Sequence, residues 1–120
     1  MRFNLFTTLL FLIIFGDNII AQETYHGNFV TNNILEDNGY FWISTDKGLL
    51  KLNTNSNQQL EFNKGNSGLP SNHVNDIVID NQRKIWCATD NGLAYFDGSV
   101  WKIFTVESHG LISNKITDVS

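Results

Sequence analysis

Fourteen residues, Lys84 to Asp97 (KIWCATDNGLAYFD), repeat an earlier stretch, Tyr40 to Asn53 (YFWISTDKGLLKLN). Trp42 and Trp86 stand 44 residues apart, as do Thr45 and Thr89, Asp46 and Asp90, Gly48 and Gly92, and Leu49 and Leu93. A second register agrees. Gly68-Leu69-Pro70-Ser71-Asn72-His73-Val74-Asn75-Asp76-Ile77 recurs 42 residues later as Gly110-Leu111-Ile112-Ser113-Asn114-Lys115-Ile116-Thr117-Asp118-Val119, with Gly, Leu, Ser, Asn and Asp kept. A fixed period of this size marks a chain built from stacked units, so the unit decides the fold.

The unit reads as four short strands. In the first copy these are Phe29 to Leu35, Tyr40 to Thr45, Leu49 to Leu52 and Gln59 to Asn63. Asp37-Asn38-Gly39 and Asp46-Lys47-Gly48 supply tight turns, because Asn and Gly tolerate positive φ. The second copy places strands over His73 to Asp80, Lys84 to Thr89, Leu93 to Phe96 and Val100 to Thr105, and Asp90-Asn91-Gly92 is the strongest hairpin signal in the chain. Lys64 to Asn72 and Glu107 to Asn114 are connectors between units. No segment after residue 21 has helix length with a 3.6-residue apolar period, so the expected class is all-β.

Side chains alternate across a strand, so Trp86 and Ala88 share one face and Ile85 and Cys87 the other. Trp42 with Ser44, against Phe41 with Ile43, repeats the arrangement. Both faces are apolar and both need cover. Blades stacked around an axis provide that cover, whereas the sheets of a two-layer sandwich would each show one wet face. Four-stranded units at this period therefore predict a partial β-propeller: two four-stranded antiparallel blades, about 28–63 and 73–106, and the start of a third at about 115–120.

Within each unit runs the pattern apolar pair, Asp, turn, apolar-Trp-apolar-small-Thr-Asp-x-Gly-Leu, preceded by Gly-Leu-x-Ser-Asn. The best copy is Ile77 to Phe96 (IVIDNQRKIWCATDNGLAYF) with Gly68 to Asn72 ahead of it. This pattern resembles the two-component regulator propeller repeat, and the resemblance covers almost all of 27–120. It implies an exported sensor region of the kind found in hybrid histidine kinases with large periplasmic domains, although such repeats also occur in exported proteins without a kinase. It also implies an extracellular ligand, which the residues do not identify; sensors of this type often respond to carbohydrate fragments. The chain departs from the pattern at Cys87, where an aliphatic residue or glycine is commoner, and at the Asp37–Gly39 turn, about one residue shorter than its counterpart at 81–84.

Met1-Arg2, the apolar run from Leu5 to Phe15 and a more polar stretch ending at Ala21 have the layout of a cleaved signal peptide, residues 1–21. Ile19 departs from the small residue usual two before the cleavage point. About eleven apolar residues are too few to cross a bilayer, so no transmembrane helix is expected in the mature segment, 22–120. Removing Arg2 and Asp17 together leaves the formal charge at −4, which argues against a nucleic-acid partner. One cysteine, Cys87, cannot form an internal disulfide. Propellers close with about four to eight blades. The expectation is thus a fragment of a longer protein or of a disrupted gene, with a self-assembling short chain as the third account; either way, further blades in the same or another chain are partners.

No catalytic, cofactor or metal residues are assigned. Trp42 and Trp86 could be stacking platforms, but mid-strand positions beside a small residue fit inter-blade core, and Trp101 on the outer strand fits packing. Asp46 and Asp90 read as acceptors for backbone N–H groups within their turns. Asp90-Asn91-Gly92 lacks the spaced oxygen ligands and closing glutamate of a calcium loop. Asp76, Asp80 and Asp118 read as strand-end and turn acids. His26, His73 and His109 share no ligand spacing, each lying at or beside a connector. There is no Gly-x-Ser-x-Gly elbow and no phosphate loop, and Cys87 reads as a small buried hydrophobe. Binding is expected in the connectors, 64–72 and 107–114. The function implied is a non-catalytic, periplasmic or extracellular propeller segment at the N-terminal part of a ligand-sensing region. Its rival is an exported structural or protein-binding scaffold without signalling.

Overall fold

The computed structural model describes residues 30–120, so the expected signal peptide lies outside the described residues. Among these residues lie two four-stranded antiparallel sheets. The first runs β1 (Phe29–Asp37), β2 (Tyr40–Thr45), β3 (Gly48–Asn53) and β4 (Gln59–Phe62). The second runs β5 (Val74–Ile79), β6 (Ile85–Thr89), β7 (Gly92–Phe96) and β8 (Trp101–Phe104). Each is a meander in which sequence neighbours pair, and the two are consistent with adjacent propeller blades.

Turn chemistry sets these registers. Asn38 (φ 47°) and Gly39 (φ 81°) carry the β1–β2 turn in the left-handed region. At the β2–β3 and β6–β7 turns a threonine closes the hairpin. Thr45 Oγ1 accepts from Lys47 N and donates to Gly48 O, and Thr89 Oγ1 accepts from Asn91 N and donates to Gly92 O. The aspartates that follow do not close these turns, contrary to expectation. A turn this short is already satisfied by the buried hydroxyl, which frees the carboxylate to reach the inner strand.

The core lies between the sheets. Trp42, Leu49 and the half-buried Leu35 and Phe62 on one side meet Ile77, Ile85, Cys87 and the half-buried Ile79, Phe96 and Trp101 on the other. The Trp42 ring stacks on Phe62 at 6.0 Å and meets Phe96 edge-on at 6.5 Å. Trp42 is therefore inter-sheet core, as strand alternation requires. Trp101 is packing too: it stacks on Phe96 at 4.9 Å and presses against Gly68, where an added Cβ would lie 2.3 Å from its own Cβ. Trp86 sits on the face turned away from the first sheet. It is half-buried, packed on Tyr95 and Phe104, with its Nε1 donating to Asp80 Oδ2 at 2.8 Å.

Both connectors are tied down by the same two side chains. Asn72 Oδ1 accepts from Lys64 N, and Asn114 Oδ1 from Val106 N, each at 2.7 Å. Ser71 Oγ accepts from His73 N, and Ser113 Oγ from Lys115 N. The second connector also contains one helical turn, α1 (Val106–His109), capped by Thr105 at its start and by Gly110 (φ 67°) at its end. A reciprocal pair of bonds between Thr105 and Ser108 satisfies the first free amides, which is why this turn forms in a sequence without helical periodicity. Residues 115–120 form no strand, but they run along the second sheet: Ile116 N donates to Thr89 O at 2.8 Å.

Candidate functional site

The inner strands β1 and β5 carry the same irregularity. Thr31 pairs with Thr45 and Asn33 with Ser44, leaving Asn32 as an extra residue; Val74 pairs with Thr89 and Asp76 with Ala88, leaving Asn75. A bulge of this kind re-aims a side chain that the pleat would otherwise place in a sheet face. Each bulged asparagine reaches to the next segment: Asn32 Nδ2 donates to Val74 O, and Asn75 Nδ2 to Ile116 O, both at 2.8 Å.

Around the bulges opens a cleft of about 410 Å³ at the connector end. Three rows line it, each row one position in successive units. Val30, His73 and Lys115 form the first, Asn32, Asn75 and Thr117 the second, and Asp46 and Asp90 the third. Asp46 Oδ1 accepts from Val30 N at 2.8 Å. Asp90 Oδ1 accepts from Asn75 Nδ2 at 2.9 Å, while its Oδ2 lies 3.5 Å from His73 Nδ1. Exposed Lys115 and His73 stand opposite these carboxylates as donors. Such a surface offers acceptors and donors to a polar ligand.

Deeper along the inner strands runs a second polar line. Asn33 Nδ2 donates to Asp76 Oδ1 at 2.6 Å, and Val119 N to Asp76 Oδ2 at 3.1 Å. Desolvation opposes the Asp76 charge, but hydrogen bonds from Asp118, Val119 N–H and Asn33 outweigh it and hold this carboxyl below the usual range. Its hydrogen bond to Asp76, and the charge there, push Asp118 up. Asp76 is thus a mid-strand bridge between units, where a strand-end acid was expected. Asp80 does fit the turn reading: the Trp86 indole N–H, with the amides of Lys84 and Gln82, lowers its carboxyl.

At the opposite end a groove of about 600 Å³ separates the sheets, with Trp42, Phe62 and Phe96 at its floor and Lys51, Leu60 and Arg83 at its rim. Arg83 Nη2 crosses it to the Asp37 carboxylate at 2.6 and 2.7 Å. Cys87 is fully buried, and burial pushes its thiol far up, which makes it inert.

The segment 68–91 matches the family model of the two-component regulator propeller. Those residues carry that family's repeat. Each signature residue of this propeller repeat has a structural role. Gly68 admits Trp101, Leu69 fills the core, Ser71 and Asn72 hold the connector, Asp80 anchors Trp86, and Thr89 closes its hairpin. A curated relative, the histidine kinase P4 of Formosa agariphila, is 36% identical over 80 residues, 62% of this chain. The chain spans only 6% of that relative's length. The repeat matched over 68–91 is that of a regulator propeller, which supports a non-catalytic role for this segment. Among the described residues no three His, Cys, Asp or Glu gather where they could hold a metal ion, and no helix is long and apolar enough to cross a membrane.

Of the residues weighed from sequence, the structure brings Asp46, Asp90 and His73 together in the cleft and sends Trp42, Trp101 and Cys87 into packing. His109 lies over Phe104, ring centroids 4.6 Å apart. Asn32, Asn75, Lys115 and Thr117 were missed. The signal for Asn32, Asn75 and Thr117 was a polar residue at the same place in each unit, 43 and 42 positions apart; Lys115 had none, because its row begins with Val30.

Proposed function

We propose that the chain is an exported, ligand-sensing propeller segment from the N-terminal part of a two-component signalling protein. Residues 1–21 act as the signal peptide and 22–120 as the propeller portion, with blades at about 28–63 and 73–106 and a third beginning at about 115–120. The observation that carries the reading is the repeated bulge, which turns Asn32 and Asn75 into one polar cleft at the connector end. The match of 68–91 to the regulator propeller repeat supports export and signalling in general. A further blade covers the Trp86, Tyr95 and Phe104 face just as the second sheet covers Trp42 and Phe62, and residues 115–120 begin to lay it down.

The ligand enters at the cleft rather than at the connector backbones, whose amides are engaged by Asn72, Ser71, Asn114 and Ser113. Carbohydrate fragments are the class the family resemblance implies, and the donors and acceptors of the cleft suit hydroxyl groups. Two experiments test this. Fusing residues 1–30 to alkaline phosphatase, which is active only outside the cytoplasm, gives active enzyme if the segment is exported and none if it is not. Thermal shift of the whole protein against soluble oligosaccharides raises the midpoint with one class; a flat response across the panel removes the ligand class.

A further inference from the structure

Two Asn–Gly pairs occur in the chain, both at hairpin tips, and they sit in opposite chemical situations. An asparagine followed by glycine can cyclise, because the unhindered glycine nitrogen can reach the asparagine side-chain carbonyl carbon. At Asn91–Gly92 that route is blocked. Gly92 is buried, its N–H donates to the Asn114 carbonyl, and Asn91 Nδ2 donates to Pro70 O at 3.3 Å. Nucleophile and electrophile are both held.

At Asn38–Gly39 nothing holds them apart. Asn38 is exposed at the tip. The turn is fixed through the Gly39 carbonyl, which accepts from Thr54 N and Oγ1 at 2.9 Å, while among the described residues the Gly39 N–H meets only the Glu36 carboxylate, at 3.4 Å. With its carboxamide oriented by the hydrogen-bond network, Asn38 presents its oxygen to Arg83, accepting from Nη1 at 2.8 Å and Nη2 at 2.7 Å. A guanidinium on that oxygen polarises the carbonyl and stabilises the oxyanion formed on attack. A carboxylate beside the attacking N–H can take its proton.

We propose that Asn38 is a site of intramolecular deamidation, with Gly39 N as nucleophile, Arg83 as oxyanion donor and Glu36 as proton acceptor. The Gly39 N–Cγ bond forms, the Asn38 Cγ–Nδ2 bond breaks, and the proton passes through Glu36 to the departing ammonia, leaving a succinimide. Water then opens the ring to aspartate or isoaspartate; one water is consumed, one ammonia released, and nothing is oxidised. The product matters to the fold. An aspartate places a second carboxylate beside Asp37 against Arg83, and an isoaspartate lengthens a two-residue turn that sets the β1–β2 register.

The test is peptide mapping of the whole chain after warm, mildly alkaline incubation, native and in denaturant. In the native chain Asn38 converts, and Asn91 lags by about tenfold or more because it must wait on local opening. In denaturant the two convert at similar rates. Arg83→Met slows the native conversion about tenfold, less than an enclosed oxyanion donor would, because this site is exposed. Asn91 in the same sample reports whether that variant is still folded; if it is not, Glu36→Gln decides in its place, and it too must slow Asn38. Equal native rates at the two asparagines overturn the proposal. So does a folded Arg83→Met, or a Glu36→Gln, that leaves the rate unchanged or quickens it.

Discussion

Asn32 and Asn75 occupy the same bulge in successive inner strands, and each donates to a backbone carbonyl of the following unit at 2.8 Å. The extra residue costs each inner strand one ladder position. In exchange the side chain leaves the sheet plane and links one unit to the next. Replacing Asn75 with Ala leaves Ile116 O without its donor and Asp90 Oδ1 without the Asn75 amide. We expect a loss of about 1–2 kcal/mol in urea unfolding, the range for partly buried bonds broken on one side. An unchanged midpoint would show that the bulge serves only to shape the cleft.

Trp42 and Trp86 are equivalent in sequence and differ in surroundings. Trp42 is 4% exposed between two sheets, whereas Trp86 is half-buried on a face that no further described sheet covers. Trp42→Ala should cost about 3–5 kcal/mol, and Trp86→Ala roughly half of that. Equal losses would mean that the two faces are equally covered in solution.

Gly68 is needed for space. Its φ is unremarkable, but an added Cβ would meet Trp101 Cβ at 2.3 Å and Cγ at 2.7 Å. Gly68→Ala should destabilise by about 1–3 kcal/mol through overpacking and should disturb the Trp101 fluorescence. Gly98→Ala, with φ +104° and open space around it, should leave that fluorescence unchanged.

Asp80 gives the acid limb a definite sign. Its folded carboxyl is lowered from 3.8 chiefly by the Trp86 indole N–H, then by Lys84 N–H. A depressed folded pKa means that the stabilisation is fully present above the unfolded value and is lost as pH falls through the folded one. Thermal midpoints should therefore decline below about pH 4, and Asp80→Asn should flatten that decline while keeping an acceptor for Trp86. A variant as steep as the parent would assign the acid limb elsewhere.

Much of the fold was legible because the repeat states each strand twice. Val74, Ile77 and Ile79 marked an inner strand that Phe29 to Leu35 alone would not have established, and Asn38-Gly39 and Asp90-Asn91-Gly92 announced turns by their φ requirements. The cleft was less legible. A bulge changes no residue type, so Asn75 reads from sequence as one more polar strand residue. Only its pairing, with Val74 opposite Thr89 and Asp76 opposite Ala88, shows that it stands outside the pleat. The role of Asp90 was hidden for a related reason: the buried Thr89 hydroxyl satisfies the turn, and nothing local says where the freed carboxylate goes. The short α1 turn escaped because a four-residue helix is set by its caps rather than by periodicity.

The most direct test of a ligand-sensing cleft uses His73 and Lys115, which face it without holding a neighbouring unit through their side chains. His73→Ala combined with Lys115→Ala is compared with Lys102→Ala on the outer strand. The rise in thermal midpoint with soluble oligosaccharide should disappear in the double variant and persist in the control, with both variants folded to the same extent without ligand. A response that survives in the double variant would contradict the placement of the ligand at the connector end.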